Sequence, residues 1–266
     1  MRESALTALR PCVLVFAGHD PSGGAGIQAD IEAIAAQGAH ALTVITSLTV
    51  QDNNQVYAVY PVDSEIVLAQ ARSLIKNFTV KALKLGIAGS AQNARAIASL
   101  IAELQASNPD LAVVLDPVLS SGHGQALGLD DAVLALQPLM EVATLITPNL
   151  PEVKRLAAHG LTATQQAVSL LGGHCQDVLL KGGHASDEHV CNRWFRQDKQ
   201  LSEISWNWPR LEGEFHGSGC TLAAAIAGQL ACGHTMEKSL YAAQIYTQLC
   251  LRKAYPIAAG QLIPQR

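Results

Sequence analysis

The chain is organised around the stretch Phe215-His-Gly-Ser-Gly-Cys-Thr-Leu-Ala-Ala-Ala-Ile-Ala-Gly-Gln-Leu230. Gly217 and Gly219 permit a backbone turn that residues with side chains resist, and the small and aliphatic residues from Cys220 onward predict a buried helix. The N-terminus of such a helix presents unpaired N–H groups and the positive end of its dipole, which favours an anion such as phosphate. The same field is expected to lower the pKa of the Cys220 thiol.

Taken alone, this Gly-x-Gly-Cys sequence has a more ordinary explanation. Glycine turns before helices are common, and cysteine is often a small buried apolar residue. Residues elsewhere in the chain therefore have to decide between a phosphate site and a plain connection.

The composition predicts a globular enzyme rather than a disordered chain. Hydrophobic residues make up 49% and charged residues 15% of the 266 residues, which fits a large buried core. We expect a single α/β domain spanning 1–266, because a chain of this length does not require a division into two. A net charge of −4 gives no reason to expect nucleic acid as a partner.

The cysteines and the first apolar run bear on the compartment. No Cys-x-x-Cys pair occurs, and such scattered cysteines are typical of reduced thiols in an intracellular protein. The six cysteines are Cys12, Cys175, Cys191, Cys220, Cys232 and Cys250. The apolar run Cys12–Ala17 is too short for a signal segment or a membrane span. We therefore expect a cytoplasmic protein that does not associate with a membrane.

The N-terminal part predicts a buried strand, a turn-rich loop and a helix. Cys12–Ala17 has the continuous apolar character of a central parallel strand, and the loop Gly18-His-Asp-Pro-Ser-Gly-Gly-Ala-Gly26 follows it. Asp30 lies in the first turn of the next helix, where it either stabilises the helix dipole or binds a ligand. The residues expected on the inward stripe of that helix are Ile27, Ile31, Ile34 and Ala35.

Strands and helices alternate along the remainder of the chain, which predicts a mostly parallel sheet covered by helices on both faces. The predicted strands are Ala41–Leu48, Val56–Tyr60, Lys81–Ile87, Ala112–Leu115, Ala143–Thr147 and Asp177–Lys181, with an antiparallel edge hairpin of Val190–Arg196 and Leu201–Trp208. The further predicted helices are Ser64–Lys76 (with Ile66, Val67, Leu74 and Ile75 inward), Ser90–Gln105, Leu129–Leu136, Pro151–Ala158, Ala163–Leu171 and Glu237–Lys253.

Several residues that follow these strands have no evident packing role. Ligands of open α/β sheets bind beyond the carboxyl ends of the strands, so these residues are candidates for a site. They are Gly18, His19, Gln51, Gly86, Ile87, Asp116, Asn149, Glu152 and Lys181. Gln51 is either a plain loop residue or a paired donor and acceptor for the edge of a heteroaromatic ring.

Five motifs then carry a specific resemblance. They are Gly18–Asp30, Gln51-Asp-Asn53, Thr147-Pro-Asn-Leu-Pro-Glu152, Lys181-Gly-Gly-His184 and His216-Gly-Ser-Gly-Cys-Thr221. Their order and spacing resemble those of the hydroxymethylpyrimidine/phosphomethylpyrimidine kinases, the thiamin-pathway enzymes of the ribokinase-like superfamily. The resemblance implies a three-layer sandwich with a mostly parallel sheet. It also implies transfer of a phosphoryl group from ATP to 4-amino-5-hydroxymethyl-2-methylpyrimidine, and then to the resulting monophosphate.

The resemblance also implies a role for each motif residue. Cys220 is expected to be the base near the acceptor hydroxyl, and the backbone of Gly217, Ser218 and Gly219 to stabilise the phosphoryl group. The acceptor ring is expected to contact Gly18, Ala25, Asp30, Val50, Gln51, Ile87 and Val118. Lys181 and Asn149 are expected to bind ATP, and Asp116 and Glu152 to organise Mg²⁺. We expect a homodimer or another homo-oligomer.

Other functions remain open from the sequence. A pyridoxal or pyridoxine kinase is one alternative, since that branch of the superfamily also uses a cysteine in this turn. A non-catalytic pyrimidine-binding relative is another, because His19, Ile87 and Phe215 depart from residues common in the family. A dinucleotide-dependent oxidoreductase is disfavoured, because Gly23-Gly-Ala-Gly26 does not have the Gly-x-Gly-x-x-Gly spacing.

Overall fold

The computed structural model describes residues 9–119, 131–185, 187–198 and 200–266. The nine strands formed by these residues make one sheet in the order β3-β2-β1-β4-β5-β6-β7-β8-β9. The strands are β1 (Cys12–His19), β2 (His40–Gln51), β3 (Val56–Pro61), β4 (Val80–Leu85), β5 (Ala112–Leu115), β6 (Leu145–Ile146), β7 (Asp177–Leu180), β8 (His189–Gln197) and β9 (Leu201–Pro209). The helices are α1 (Gly26–Ala36), α2 (Ser64–Ile75), α3 (Ala91–Ser107), α4 (Ala132–Val142), α5 (Leu150–Leu156), α6 (Ala163–Val168), α7 (Ser218–Ala231) and α8 (Met236–Arg252).

The sheet is parallel in its centre and antiparallel at both edges. The strands from β2 through β1, β4, β5 and β6 to β7 pair in parallel, with Cys12 opposite His40 and Leu83 opposite Val113. The β8–β9 hairpin closes one edge, as predicted, and β3 adds a second antiparallel edge beside β2. The predicted fold class is confirmed.

Two hydrophobic cores lie on opposite faces of the sheet, because successive side chains of a strand point to opposite faces. Leu14 and Phe16 of β1 pack with the core beneath helices α2 to α6. Val13 and Val15 pack with the core beneath helices α1, α7 and α8. Burial of each such aliphatic or aromatic side chain contributes about 1.5–3 kcal/mol. The result is the expected three-layer arrangement.

Some predicted boundaries and inward faces are wrong. The helix predicted for Leu129–Leu136 begins outside the described residues at 129 and 130, and α4 continues past Pro138 because Leu139 and Val142 are buried. Ile31 and Ile66 were predicted to face inward but are 44% and 55% exposed. Ala35 was also predicted to face inward but is exposed, whereas Ile27 and Ile34 are buried as predicted and Asp30 takes the inward position beside Ile31.

Helix α7 lies deep in the fold, and its residues from Thr221 to Gly228 are all buried. Gly228 packs against Ile34 of α1 and against Gln37, which caps that helix, and an added Cβ would lie 2.9 Å from the Gln37 side chain. This close approach places the N-terminus of α7 at the carboxyl edge of the sheet. Among the described helices, none is both long enough and apolar enough to cross a membrane.

Candidate active site

A cleft of about 740 Å³ opens at the carboxyl edge of the sheet. It gathers residues from the ends of β1, β2, β4, β5, β6 and β7 and from the start of α7, as the rule for open α/β sheets predicts. The predicted site residues that line it are Gly18, Ala25, Gln51, Ile87, Asp116, Val118, Asn149, Glu152, Lys181, Gly217, Ser218, Gly219 and Cys220. The structure therefore brings the five sequence motifs to one place.

The glycines of the α7 turn are required by close approach as well as by conformation. Gly217 caps α7 with φ of +74°, a left-handed value that side chains disfavour. A Cβ at Gly217 would also collide with the backbone of Gly24 and Ala25. A Cβ at Gly219 would lie 3.2 Å from the Lys181 ammonium nitrogen. The helix N-terminus thus touches the loop after β1 on one side and a cation on the other.

Charged side chains cluster directly in front of this turn. Lys181 Nζ lies 2.7 Å from Asp116 Oδ1 and 3.9 Å from Glu152 Oε2. Burial opposes the charge of Asp116, but Lys181 and Lys84 hold the pKa of Asp116 below its usual value. Burial and the neighbouring Asp116 charge raise the pKa of Glu152 to about 7, against the opposing effect of Lys181. One carboxylate is therefore firmly ionised and the other titrates near neutrality.

The second carboxylate is held by a capping box at the start of α5. Asn149 Oδ1 accepts a hydrogen bond from the Glu152 backbone N–H at 2.8 Å, and Glu152 Oε2 accepts one from the Asn149 N–H at 2.7 Å. Asn149 also forms a parallel bridge with Lys181. Asn149 therefore positions Glu152 and Lys181, in addition to lining the cleft.

The pKa of Cys220 departs from the sequence-based expectation. Burial raises the pKa of the Cys220 thiol to about 12, and the negative charges of Asp116 and Asp30 add to this effect. Lys84 and Lys181 act in the opposite direction. The expected lowering by the helix dipole is wrong because loss of hydration and the nearby carboxylates outweigh it.

The family model described as phosphomethylpyrimidine kinase matches residues 20–264 of the chain. The chain belongs to this family. A hydroxymethylpyrimidine/phosphomethylpyrimidine kinase from Streptomyces coelicolor is 34% identical over 259 residues, which cover 94% of this chain and 92% of that relative. The enzyme of the same name from Escherichia coli is 38% identical over 221 residues, or 80% of each chain. The family predicted from the motifs is confirmed.

Solved structures show the same fold in the phosphomethylpyrimidine kinase family and beyond it. A phosphomethylpyrimidine kinase from Clostridium difficile superposes with a TM-score of 0.73 at 29% identity, over 90% of this chain and 98% of that one. An ADP complex of Bacillus subtilis pyridoxal kinase superposes with a TM-score of 0.82 at 26% identity, over 97% of each chain. Shape alone therefore does not separate the two acceptors.

Two residues predicted to contact the acceptor ring, Val50 and Asp30, do not line the cleft with their side chains. Val50 is 49% exposed on the opposite face of β2, whereas its neighbours Thr49 and Gln51 line the cleft. Strand alternation explains this difference. Asp30 is fully buried in α1 and does not line the cleft, because its carboxylate pairs with Lys84. The Val50 side chain therefore lies outside the cleft, while a backbone contact from Val50 stays a prediction. The role of Asp30, whose Oδ1 has no hydrogen-bond partner, also stays a prediction.

Lys84 is a cleft residue that sequence reasoning missed. Its ammonium nitrogen lies 2.9 Å from Asp30 Oδ2, and both side chains are fully buried. Although burial alone would lower it, the Asp30 carboxylate holds the pKa of Lys84 above its usual value. The available signal was a lysine within the otherwise apolar end of β4, since a buried charge requires a partner.

Asp20 is the second missed residue, and it organises the loop after β1. Its carboxylate accepts hydrogen bonds from the Ser22 backbone and hydroxyl at 2.8 Å, from Ala25 N–H at 2.7 Å and from His216 Nε2 at 2.8 Å. Burial opposes the charge, but the neighbouring His216, Gln51 and Ser22 side chains hold the pKa of Asp20 well below its usual range.

Proposed function

We propose that this protein transfers the γ-phosphoryl group of ATP to the hydroxymethyl group of 4-amino-5-hydroxymethyl-2-methylpyrimidine, and then phosphorylates the monophosphate to the diphosphate in thiamin biosynthesis. The observation that carries the proposal is the position of Cys220 and the Lys181–Asp116 ion pair at one helix N-terminus that opens onto one cleft. Family membership supplies the acceptor class.

The acceptor side of the cleft combines apolar walls with one side-chain amide. Ile87 and Val118 offer apolar surface, and Gly18 also lines this cleft. Gln51 lines it too, and its amide offers a donor and an acceptor side by side. This pair suits the amino group and ring nitrogen at the edge of an aminopyrimidine.

The phosphate side supplies positive charge and backbone donors. The N–H groups of Ser218, Gly219 and Cys220 belong to the first turn of α7 and have no partner within the helix. Such donors stabilise the negative charge that the transferring phosphoryl oxygens carry. Lys181 adds a cation beside the same turn, with Asp116 keeping its ammonium in place.

The carboxylates suit a divalent cation. Asp116 and Glu152 provide two oxygen-donor groups on either side of Lys181, and Mg²⁺ prefers one or two carboxylates together with phosphate oxygens and water. Burial chiefly raises the pKa of Glu152, and the Asp116 charge adds to this effect, so a cation bound beside them would favour the ionised carboxylate. When bound, Mg²⁺ would neutralise charge on the ATP phosphates. Asp116 and Glu152 are the residues that would hold it.

Cys220 is the group proposed to remove the acceptor proton. In the first transfer the hydroxyl oxygen forms a bond to the γ-phosphorus of ATP while the bond from that phosphorus to the bridging oxygen breaks and ADP leaves. The hydroxyl proton passes to the sulfur of the Cys220 thiolate. A thiolate whose thiol has a pKa of about 12 is a strong base, although it is scarce at neutral pH. The second transfer starts from an ionised phosphate oxygen and does not need this base.

An acceptor panel tests the proposed function. The protein is incubated with Mg-ATP and either the hydroxymethylpyrimidine, its monophosphate or pyridoxal, and ADP release and phosphorus NMR spectra are recorded. The pyrimidine is expected to yield the monophosphate and then the diphosphate, with a higher kcat/KM than pyridoxal. Pyridoxal is included because of the close superposition on a pyridoxal kinase. No ADP release with either pyrimidine would reject the proposal, whereas binding without turnover would favour a non-catalytic relative.

A homodimer is proposed for the assembled enzyme. Leu48, Val50 and Tyr60 are about half exposed and lie on one face at the β2–β3 edge, since Leu48 pairs with Tyr60. Contiguous exposed apolar side chains are characteristic of interaction surfaces. Light scattering after size-exclusion chromatography is expected to give twice the mass of one chain, and Tyr60→Lys to lower it. A monomer mass at micromolar concentration would reject the assembly.

A further inference from the structure

The last residues of the sequence cross the loops that build the cleft. Leu262 N–H donates to Glu214 O at 2.8 Å, and His216 N–H donates to Leu262 O at 2.9 Å. These bonds join residues 261–266, here called the C-terminal strap, to the chain that enters the α7 turn. Gln261 extends the contact to the loop after β2, where its carbonyl oxygen accepts from Asn53 Nδ2 at 3.0 Å.

Arg266 is the strap residue that reaches deepest. Its side chain is fully buried, and Nε donates to Thr221 Oγ1 at 2.8 Å. Its two terminal nitrogens donate to the carbonyl oxygens of Gly24 and Gly23, the latter at 3.4 Å. An outer contact of 3.3 Å reaches Glu32, whose side chain is 56% exposed. The guanidinium therefore bridges α7 and the loop after β1.

The groups that Arg266 joins lie next to both halves of the proposed reaction. Thr221 follows Cys220 in α7, and its hydroxyl donates to Gly217 O at 2.8 Å. Gly24 precedes Ala25, which lines the acceptor side of the cleft. One side chain thus sets the separation between the acceptor wall and the phosphate-binding turn, although Arg266 itself does not line the cleft.

We infer that Arg266 is a positioning residue for phosphoryl transfer, which holds the Gly23–Gly24 backbone and the start of α7 at the separation that in-line attack requires. The inference rests on the proposed function. A planar guanidinium can address the Thr221 hydroxyl and two carbonyl oxygens at once, which the single ammonium of lysine cannot do in the same geometry. Displacement of reacting groups by about 1 Å costs roughly 100-fold in rate.

Arg266→Ala is the principal test, with Arg95→Ala as the control. Arg95 is exposed on α3, away from the cleft, so its loss removes the same charge without touching the loops. Arg266→Ala is expected to lower kcat for the pyrimidine about 10- to 100-fold while the KM for ATP changes little. Millimolar guanidinium chloride, compared with equal sodium chloride, is expected to restore part of kcat by filling the vacated site.

A second measurement covers the case in which Arg266→Ala does not fold. Arg266→Lys keeps a buried cation but loses the planar guanidinium with its several N–H donors. Hydrogen exchange of the backbone amides is therefore expected to accelerate at 22–26 and 215–221 and not in the central strands. A kcat for Arg266→Ala within twofold of wild type would overturn the inference. A loss that only follows the folded fraction, or that guanidinium does not relieve, would also overturn it. Inactive wild-type protein would instead reject the proposed function, and the exchange result would still stand.

Discussion

Asp20 Oδ2 lies 2.8 Å from His216 Nε2, and this contact joins two glycine-rich segments that are 196 residues apart in the sequence. The carboxylate also accepts a hydrogen bond from the Ala25 N–H. One buried anion therefore fixes the loop after β1 against the turn that carries Cys220. The relationship explains why both loops are rich in glycine, since side chains at Gly24 and Gly217 would separate them.

Asp20→Asn is expected to destabilise the protein by about 1–3 kcal/mol at pH 7, because it removes a hydrogen-bonded buried charge. The folded-state pKa of Asp20 is lowered, so its stabilisation is complete above the ordinary aspartate pKa near 4 and is lost as pH falls below it. Urea unfolding at pH 7 and pH 3 checks this sign. The difference between wild type and Asp20→Asn should shrink at pH 3, and a larger difference there would contradict the assignment.

Cys220→Ser is expected to reduce the first phosphorylation much more than the second, because only the first removes a proton from an alcohol. A loss of about 100-fold or more in the first step fits the usual contribution of a general base. Cys232→Ser is the matched control, since Cys232 is exposed at the other end of α7. Single-turnover rates with the alcohol and with preformed monophosphate separate the steps. Equal losses in both would reject the base assignment.

The rate of the first phosphorylation is expected to rise with pH between about 7 and 9. The pKa of Cys220 is raised to about 12, so the thiolate fraction grows about tenfold for each pH unit in this range. The second phosphorylation should be nearly flat, because its attacking oxygen is already ionised. The measurement is the ratio of the first to the second single-turnover rate, which is expected to rise with pH across this range. A constant ratio would show that a group other than the thiol takes the proton.

The strand-end rule recovered most of the cleft from the sequence because it depends on local patterns. Gln51, Asp116 and Lys181 each follow an apolar run, and parallel strands bring such positions to one edge. The exposed side chain of Val50 follows from alternation along β2, which turns adjacent residues to opposite faces. The complete burial of Asp30 could not be predicted without knowing that Lys84 is its ion-pair partner.

Long-range pairing explains the rest of what was missed. Lys84 and Asp30 are 54 residues apart, and Arg266 and Thr221 are 45 apart, so no periodicity relates them. The pKa of Cys220 was predicted with the wrong sign because a helix N-terminus is visible in sequence, whereas the depth of burial is not. Such contacts arise from the packing of whole layers.

The Lys84–Asp30 pair is expected to behave as a unit. Lys84→Met leaves the Asp30 carboxylate buried without its partner, and breaking a buried ion pair in this way costs about 3–5 kcal/mol. The double variant Lys84→Met with Asp30→Asn removes both charges and is expected to recover part of this loss. Chemical denaturation of the wild type, of Lys84→Met, of Asp30→Asn and of the double variant gives the coupling energy between the two charges. Additive effects would show that the two charges do not depend on each other.

Gly217→Ala is expected to abolish or severely reduce activity, because it imposes a left-handed φ on alanine and adds a Cβ that collides with a neighbouring loop. Gly233→Ala is the control that separates these two effects. Gly233 has a similar left-handed φ of +84° but no atom within 4 Å of an added Cβ, so Gly233→Ala reports only the conformational cost of about 1–2 kcal/mol. At Gly217 the added Cβ also strikes the backbone of Gly24 and Ala25, which cannot move aside without disturbing the Asp20 contacts. Gly217→Ala should therefore lower both stability and kcat well beyond Gly233→Ala. A similar stability and a similar kcat for the two variants would mean that the loop after β1 moves away from the added Cβ at little cost. The α7 turn would then not depend on close contact with that loop.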